Sequence, residues 1–361
     1  MLIGPRQVGK TTLVETLVSE VSTSEVIRFN GDYPADRRYL QIDSSTQADL
    51  IFSSYRYIII DEAQKVPDIG NILKILADRY KSTKQVIVTG SSTLGLLDQT
   101  SEPLTGRKQV YNLYPIAFEE IVSTFGIRDA ETLLESVLTY GSYPQVLSFP
   151  DAESKIRKLQ DLVSGQLYRD ILEFQEIKNP DVLSKLLEML ALQIGSEISY
   201  HSLARELGIS QQTVEKYIDL LEKSFVIFRL RPYMTNKKKE ITKMKKIYFF
   251  DLGIRNALLR NFNPLSLRSD TGALWENYFI LERRKIISYH ELGFEQRFWR
   301  TKAQEEVDYL EVGAKIENVF ECRWKDQKYR APKAFTGEYP DTEVQLVHSG
   351  NYKNFLVFTK K

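Results

Sequence analysis

The sequence predicts an α/β protein that begins with a parallel sheet wrapped by helices, and three observations predict it. "GPRQVGKTTL" is a glycine-bearing turn that runs into a helical pattern. "YIIIDEAQ" and "KQVIVTGSS" are short apolar strands that end in acids and hydroxyls. Helical stretches separate these β-branched runs, the alternation produced by parallel strands joined through crossover helices.

The first stretch is the most specific. Gly4, Gly9, Lys10 and Thr11 stand at the GxxxxGK[ST] spacing of a phosphate-binding loop. Such a loop works because backbone N–H groups and a helix N-terminus converge on phosphate oxygens. Gly4, Pro5, Arg6, Gln7, Val8, Gly9, Lys10, Thr11 and Thr12 are therefore the expected nucleotide cradle. Lys10 would reach the outer phosphates, and the Thr11 hydroxyl would ligate Mg²⁺. Leu13, Leu17 and Val21 fall at helical spacing and mark the expected buried stripe of the following helix.

The strand Tyr57 to Ile60 delivers Asp61 and Glu62. The first acid suits Mg²⁺, held through water, and the second suits a base that deprotonates the attacking water. The strand after it ends at Thr89, Gly90, Ser91 and Ser92, with Thr89 and Ser91 placed to touch the γ-phosphate. ATP and Mg²⁺ are the cofactors this order of elements implies.

Composition limits the rest. A chain of 361 residues exceeds one typical core, so two or three domains are expected. The net charge of +1 gives no overall pull toward nucleic acid, and local patches must supply any such affinity. The single cysteine, Cys322, excludes an internal disulfide framework. No apolar run nears the roughly 18 residues of a membrane span, and no signal-peptide pattern opens the chain. The expectation is a cytoplasmic protein without a membrane partner.

Together with "LTGRKQVYNLYPIAFEE", "YGSYPQV", "KKIYFFDLGIRN", "GALWENY" and "FWRTKAQEEVDYL", these motifs resemble a family of bacterial and archaeal AAA+ ATPases. Its members carry a C-terminal domain of unknown function likened to PD-(D/E)XK nucleases. The resemblance covers essentially the whole chain. It implies a P-loop parallel-sheet core (1–127), a helical lid (128–180), a winged helix (181–246) and a restriction-endonuclease-like α/β domain (247–361). It also singles out Arg107 in "LTGRKQV", either as a finger reaching a neighbour's γ-phosphate or as a surface arginine beside Lys108. The finger reading implies a homo-oligomer, at least a transient one. Family members usually begin further upstream, so weak discrimination between adenine and guanine is expected here.

The middle of the chain reads helix, turn, helix. Leu203, Ala204 and Leu207 bury one side, Gly208 breaks the first helix and Ser210 caps the second. Val214, Tyr217, Ile218 and Leu221 form that helix's apolar stripe. "RLRPYMTNKKKEITKMKK" would be a wing whose Lys237, Lys238, Lys239, Lys243, Lys245 and Lys246 contact DNA phosphates, or else a solvated hairpin. Gln211, Gln212 and Lys216 could read bases, whereas Glu215, Asp219 and Glu222 would repel phosphates. A protein partner docking on this region is the rival reading.

Nucleases of the resembling kind need two carboxylates on adjoining strands and a cation two positions after the second. "EVDYLEVGAKIENVFECRW" can fold as a hairpin turning at Gly313 and Ala314. Asp308 would then pair with Val319 and lie diagonal to Glu321, about 7–8 Å away. Glu276 would add a third carboxylate, making Asp308, Glu321 and Glu276 the expected metal set. Arg323 stands where the pattern wants lysine, and guanidinium is a poor mimic of a compact ammonium. Cleavage of DNA and docking without cleavage both remain open.

Overall fold

The computed structural model describes residues 1–91, 100, 104–167, 179–234 and 245–359; for residues 166 and 167 only the backbone is described. The expected contacts of Ser92, Lys237, Lys238, Lys239 and Lys243 lie outside these. Two compact units divide the chain: Met1–Tyr114 with Lys223–Phe225, and Pro115–Glu222 with Val226–Lys361.

The first unit is built on five strands: β1 (Leu2–Ile3), β2 (Val26–Asn30), β3 (Tyr57–Asp61), β4 (Gln85–Gly90) and β5 (Tyr111–Asn112). Their order in the sheet is β2-β3-β4-β1-β5, and every pairing is parallel. Parallel strands buried on both faces read as continuous apolar runs, which explains Ile58, Ile59 and Ile60 in succession. Short as it is, β1 lies between β4 and β5, and Ile3 is buried. The helix Lys10–Leu17 packs on the sheet through Val14 and Val18, which cluster with Val26 and Ile59. This corrects the expected stripe by one position, because Leu13 and Leu17 are exposed. Both stripes have helical spacing, so periodicity alone could not choose between them.

The second unit holds a seven-stranded mixed sheet in the order β12-β11-β10-β9-β7-β8-β6. Its strands are β6 (Glu197–Ile198), β7 (Ile227–Pro232), β8 (Lys245–Phe249), β9 (Glu295–Arg300), β10 (Glu306–Val312), β11 (Ile316–Cys322) and β12 (Gln345–Val347). Helix Pro180–Leu192, β6, helices Tyr200–Leu207 and Gln211–Lys223, then β7 and β8 follow one another in the chain. Gly208 ends the first of those paired helices at φ 67°, and Ser210 Oγ accepts from the Thr213 N–H at the start of the second. β7 joins this group to the rest of the sheet by pairing in parallel with β9.

Buried polar groups tie the helical residues after 115 into the same unit. Asp251 caps helix Leu252–Leu258 through the Ile254 N–H and also accepts from the Ser142 N–H. Asn256 donates to the carbonyls of Leu138 and Thr139, and Arg255 donates to that of Ala191. The motif "FDLGIRN" is thus a clasp whose side chains satisfy backbone groups of two other segments.

Candidate active site

The loop after β1 bends through Gln7 and Gly9, at φ 61° and 99°. Glycine suits the second position because a left-handed backbone costs other residues steric strain. Gly4 is required for a different reason. A Cβ there would stand 2.0 Å from the Leu113 carbonyl oxygen, so the loop could not lie against β5. Lys10 is buried, its Nζ donating to the carbonyls of Gly4 (2.9 Å) and Pro5 (2.8 Å).

Asp61, at the C-terminal end of β3, meets this loop. Thr11 Oγ1 donates to its Oδ2 at 2.9 Å, and the Glu62 N–H (3.1 Å) and the Thr89 hydroxyl both donate to its Oδ1. The loop hydroxyl and strand acid predicted to hold Mg²⁺ are therefore in contact. Glu62 follows at φ 48°, an uncommon backbone for glutamate, and its Oε2 accepts from Gln64 Nε2 (2.7 Å) and Ser91 Oγ (3.4 Å). Sequence reasoning missed Gln64, whose one signal was its place two residues after the acid pair.

The family model described as "AAA domain" matches residues 1–122, the stretch that carries all these groups. Residues 1–122 are thus similar to a P-loop ATPase-type domain. A second model, of a domain of unknown function, matches residues 131–265. Uncharacterized proteins of Mycobacterium tuberculosis and Mycobacterium bovis are each 27% identical over 321 residues, covering 87% of this chain and 68% of theirs. An uncharacterized protein of Methanocaldococcus jannaschii is 24% identical over 374 residues, covering 96% and 80%. The Thermotoga maritima RuvB Holliday junction branch migration motor aligns with 63% of this chain and 80% of its own at 18% identity. Its TM-score is 0.29.

Within the same stretch, Arg107 stands away from the phosphate loop. It pairs with Asp78 (3.3 Å) in a cleft shared with Met1 and Val86, where the strands begin rather than end. Nothing places it on this chain's own nucleotide site.

A second group of acids lies in the second unit. Lys246 on β8 is buried, its chain passing over the Phe298 ring, and its Nζ lies 3.0 Å from Glu276 Oε1 and 3.8 Å from Asp308 Oδ1. It also pairs with Glu306. Tyr248 donates to Glu276 Oε1 at 2.6 Å, and the Cys322 N–H donates to Asp308 Oδ2 at 2.9 Å. Glu321 pairs with Arg323. Tyr329 lies close enough to favour Glu321's charged form, yet among the described residues neither its hydroxyl nor Glu321 Oε2 completes a bond.

Burial pushes the Asp308 carboxyl well above the usual range, and the charges of Glu276 and Glu321 add to it while Lys246 opposes. Burial would lower Lys246, but Glu276, Asp308 and Glu306 outweigh it and hold the ammonium above its ordinary value.

This arrangement corrects two expectations. Lys246 is not a wing residue facing phosphates; it is inside the acid cluster. The β10–β11 register pairs Tyr309 with Phe320 and Leu310 with Val319, two residues from the expected pairing, so Asp308 falls opposite Glu321. An irregularity at Glu311/Val312 and the bend at 313–315 set that register. Asp308, Glu321 and Glu276, the expected metal set, lie near one another, with the Lys246 ammonium beside Glu276 and Asp308. Among the described residues no group of three or more His, Cys, Asp or Glu is disposed to hold a metal ion. Also among them, no helix is long and apolar enough to cross a membrane.

Proposed function

We propose that the protein binds and hydrolyses ATP with Mg²⁺ and passes the resulting change to its second unit. The Thr11–Asp61 hydrogen bond carries this reading, because it brings the loop hydroxyl and the strand acid to one point beside Lys10. Thr11 and Asp61 would hold the magnesium ion, which supplies charge neutralisation at the phosphates when bound. Lys10 would exchange its two loop carbonyls for phosphate oxygens. Glu62 would take the proton of the attacking water, and Thr89 and Ser91 would sense the γ-phosphate. Arg107 would act on a neighbouring copy, which makes hydrolysis depend on assembly.

Mg²⁺-dependent release of phosphate, measured across protein concentrations, tests the reading. Turnover should disappear with Lys10→Ala and rise per molecule with concentration. Turnover indifferent to Lys10 would overturn it.

For the second unit we favour docking without cleavage. The helix–strand–helix–helix–strand–strand order supports a winged helix, with DNA as the partner and a protein as the alternative. A nuclease-like fold that cuts poorly fits Lys246 standing where a cation would neutralise Glu276, Glu306 and Asp308. DNA that accelerates ATP turnover and stays intact would support this. Efficient cutting lost with Glu321→Ala would reverse it.

A further inference from the structure

Glu62 is held more tightly than a base at the end of a strand requires. Two donors converge on one of its oxygens, Oε2: Gln64 Nε2 at 2.7 Å and Ser91 Oγ at 3.4 Å. Gln64 Nε2 also donates to Ser91 Oγ at 3.0 Å, closing a triangle of base, amide and hydroxyl. A carboxylate only accepts, so the Gln64 amide must present its nitrogen to Glu62. Its carbonyl oxygen then points elsewhere, and it is buried with no hydrogen-bond partner among the described residues. A buried acceptor without a donor carries a desolvation penalty that an apolar side chain of similar size would avoid. For stability alone, glutamine is a poor choice at this position.

The backbone around Glu62 is fixed from other directions as well. Its N–H donates to Asp61 Oδ1 and to Thr89 Oγ1, and a Cβ on Gly31 would stand 2.3 Å from its carbonyl oxygen. A left-handed glutamate persists when its surroundings determine it this fully. What the backbone leaves free is the side-chain torsion, and the Gln64–Ser91 pair takes that freedom away.

We propose that Gln64, together with Ser91, is a positioning residue that holds Glu62 by Oε2 so that Oε1 is aimed at the attacking water. This rests on the ATPase reading. In the step it serves, the water oxygen bonds to the γ-phosphorus as the bond to the ADP oxygen breaks, and Glu62 Oε1 takes the water's proton. Gln64 touches none of the reacting atoms and acts through Glu62. Ser91 links this hold to the end of β4, where Thr89 holds Asp61. Both acids are thereby referred to the same strand.

The test is Gln64→Met, which keeps the volume and removes both the donor and the unpartnered acceptor. We expect kcat to fall about 10-fold to 10²-fold, the scale on which misplacing a catalytic group acts. ATP affinity should stay within about twofold and Tm should be unchanged or higher. Ser91→Ala should give a smaller loss, and Gln64→Met should cost nothing further in a Glu62→Gln background. A purely structural glutamine would show the opposite, with Tm lowered and kcat kept. Unchanged kcat in Gln64→Met, or an equal fractional loss with Glu62 already replaced, overturns the proposal while leaving the ATPase reading in place. Absence of turnover in the unaltered chain overturns both. Should Gln64→Met fail to fold, Gln64→Ala is read against the same outcomes.

Discussion

The protein gathers acidic residues in two places and treats them differently. At the end of β3, Asp61 and Glu62 are only partly buried, and hydroxyls, an amide and backbone N–H groups hold them. Around β8, β10, β11 and the helix Thr271–Tyr289, Glu321 is buried and Glu276, Glu306 and Asp308 are partly buried, and Lys246 and Arg323 neutralise them. Neutral donors orient a carboxylate without supplying a counter-charge, so the first pair is left to meet a cation and a proton. A fixed ammonium consumes that capacity. The first arrangement is built for chemistry, while the second resembles a buried ion-pair network whose removal would be costly.

The largest expected effect tests the first half of this contrast. Glu62→Gln keeps the shape of the side chain and removes its basicity, so ATP turnover should fall about 10²-fold to 10⁴-fold while nucleotide binding persists. The matching change in the other cluster, Glu276→Gln, should leave turnover within about twofold. Equal losses from both would erase the distinction.

Next in size is the removal of the resident cation. Lys246→Met leaves Glu276, Glu306 and Asp308 without their shared partner, and breaking a buried pair in this way costs about 3–5 kcal/mol. Urea unfolding measures it. If millimolar Mg²⁺ restores part of the loss in the variant but does nothing for the unaltered protein, Lys246 occupies a potential metal position. A cost below about 1 kcal/mol would mean that the lysine is incidental.

How much of this was legible in the sequence divides along the same line. The phosphate loop and its acid pair were readable because each is a short contiguous run whose spacing alone fixes the geometry. Gln64 was not, since nothing in "DEAQK" tells which way an amide turns after a left-handed glutamate. Lys246 was misread for a clearer reason. It sits in a run of basic residues, and composition cannot separate the last inward-facing lysine from its exposed neighbours. Its place two residues before Tyr248 puts both on one face of β8, a signal that became useful only once β8 was known to start at Lys245. The Asp308–Glu321 register escaped because a bend and an irregularity shift pairing by two while keeping the face, so both registers satisfy the same hydrophobic pattern.

A third manner of holding an acid sharpens the comparison. Asp251 is buried and accepts from the backbone N–H groups of Ser142 and Ile254, with Lys285 acting on it only through space. Burial raises its value from 3.8 to about 6 despite those hydrogen bonds. Well below pH 4 the carboxyl is protonated in both states. As pH rises toward 6 the unfolded chain releases the proton first, so stability contributed by the neutral form is lost through that window. The loss is on the order of 3 kcal/mol for a shift of about two units. Asparagine cannot titrate. The stability advantage of the unaltered protein over Asp251→Asn should therefore shrink between pH 4 and pH 7. Urea titrations giving a constant difference across that range would show that the acid is not strained by its burial.

The smallest expected effect concerns the basic stretch next to Lys246. The structure removes one objection to DNA contact, because Asp219 and Glu222 do not project as free charges. Arg229 pairs with Asp219 at 2.7 Å and also with Glu222, leaving Glu215 exposed on that helix. Burial and then the charge of Glu222 lead the opposing influences on Arg229, which stays above its ordinary value and remains a permanent counter-ion. With Lys246 committed inward and Lys245 half-buried, the proposed phosphate contacts are left to Lys243 and the consecutive Lys237, Lys238 and Lys239. Replacing those three with alanine should weaken binding to every duplex alike, because phosphate contacts carry no sequence information. Each lost contact should flatten the log–log dependence of affinity on salt by about 0.9. Lys246→Met should leave that slope unchanged, since a lysine enclosed by carboxylates releases no counter-ion from DNA. A slope altered by Lys246 and indifferent to the other three would place the DNA surface at the acid cluster and abolish the contrast between the two sites.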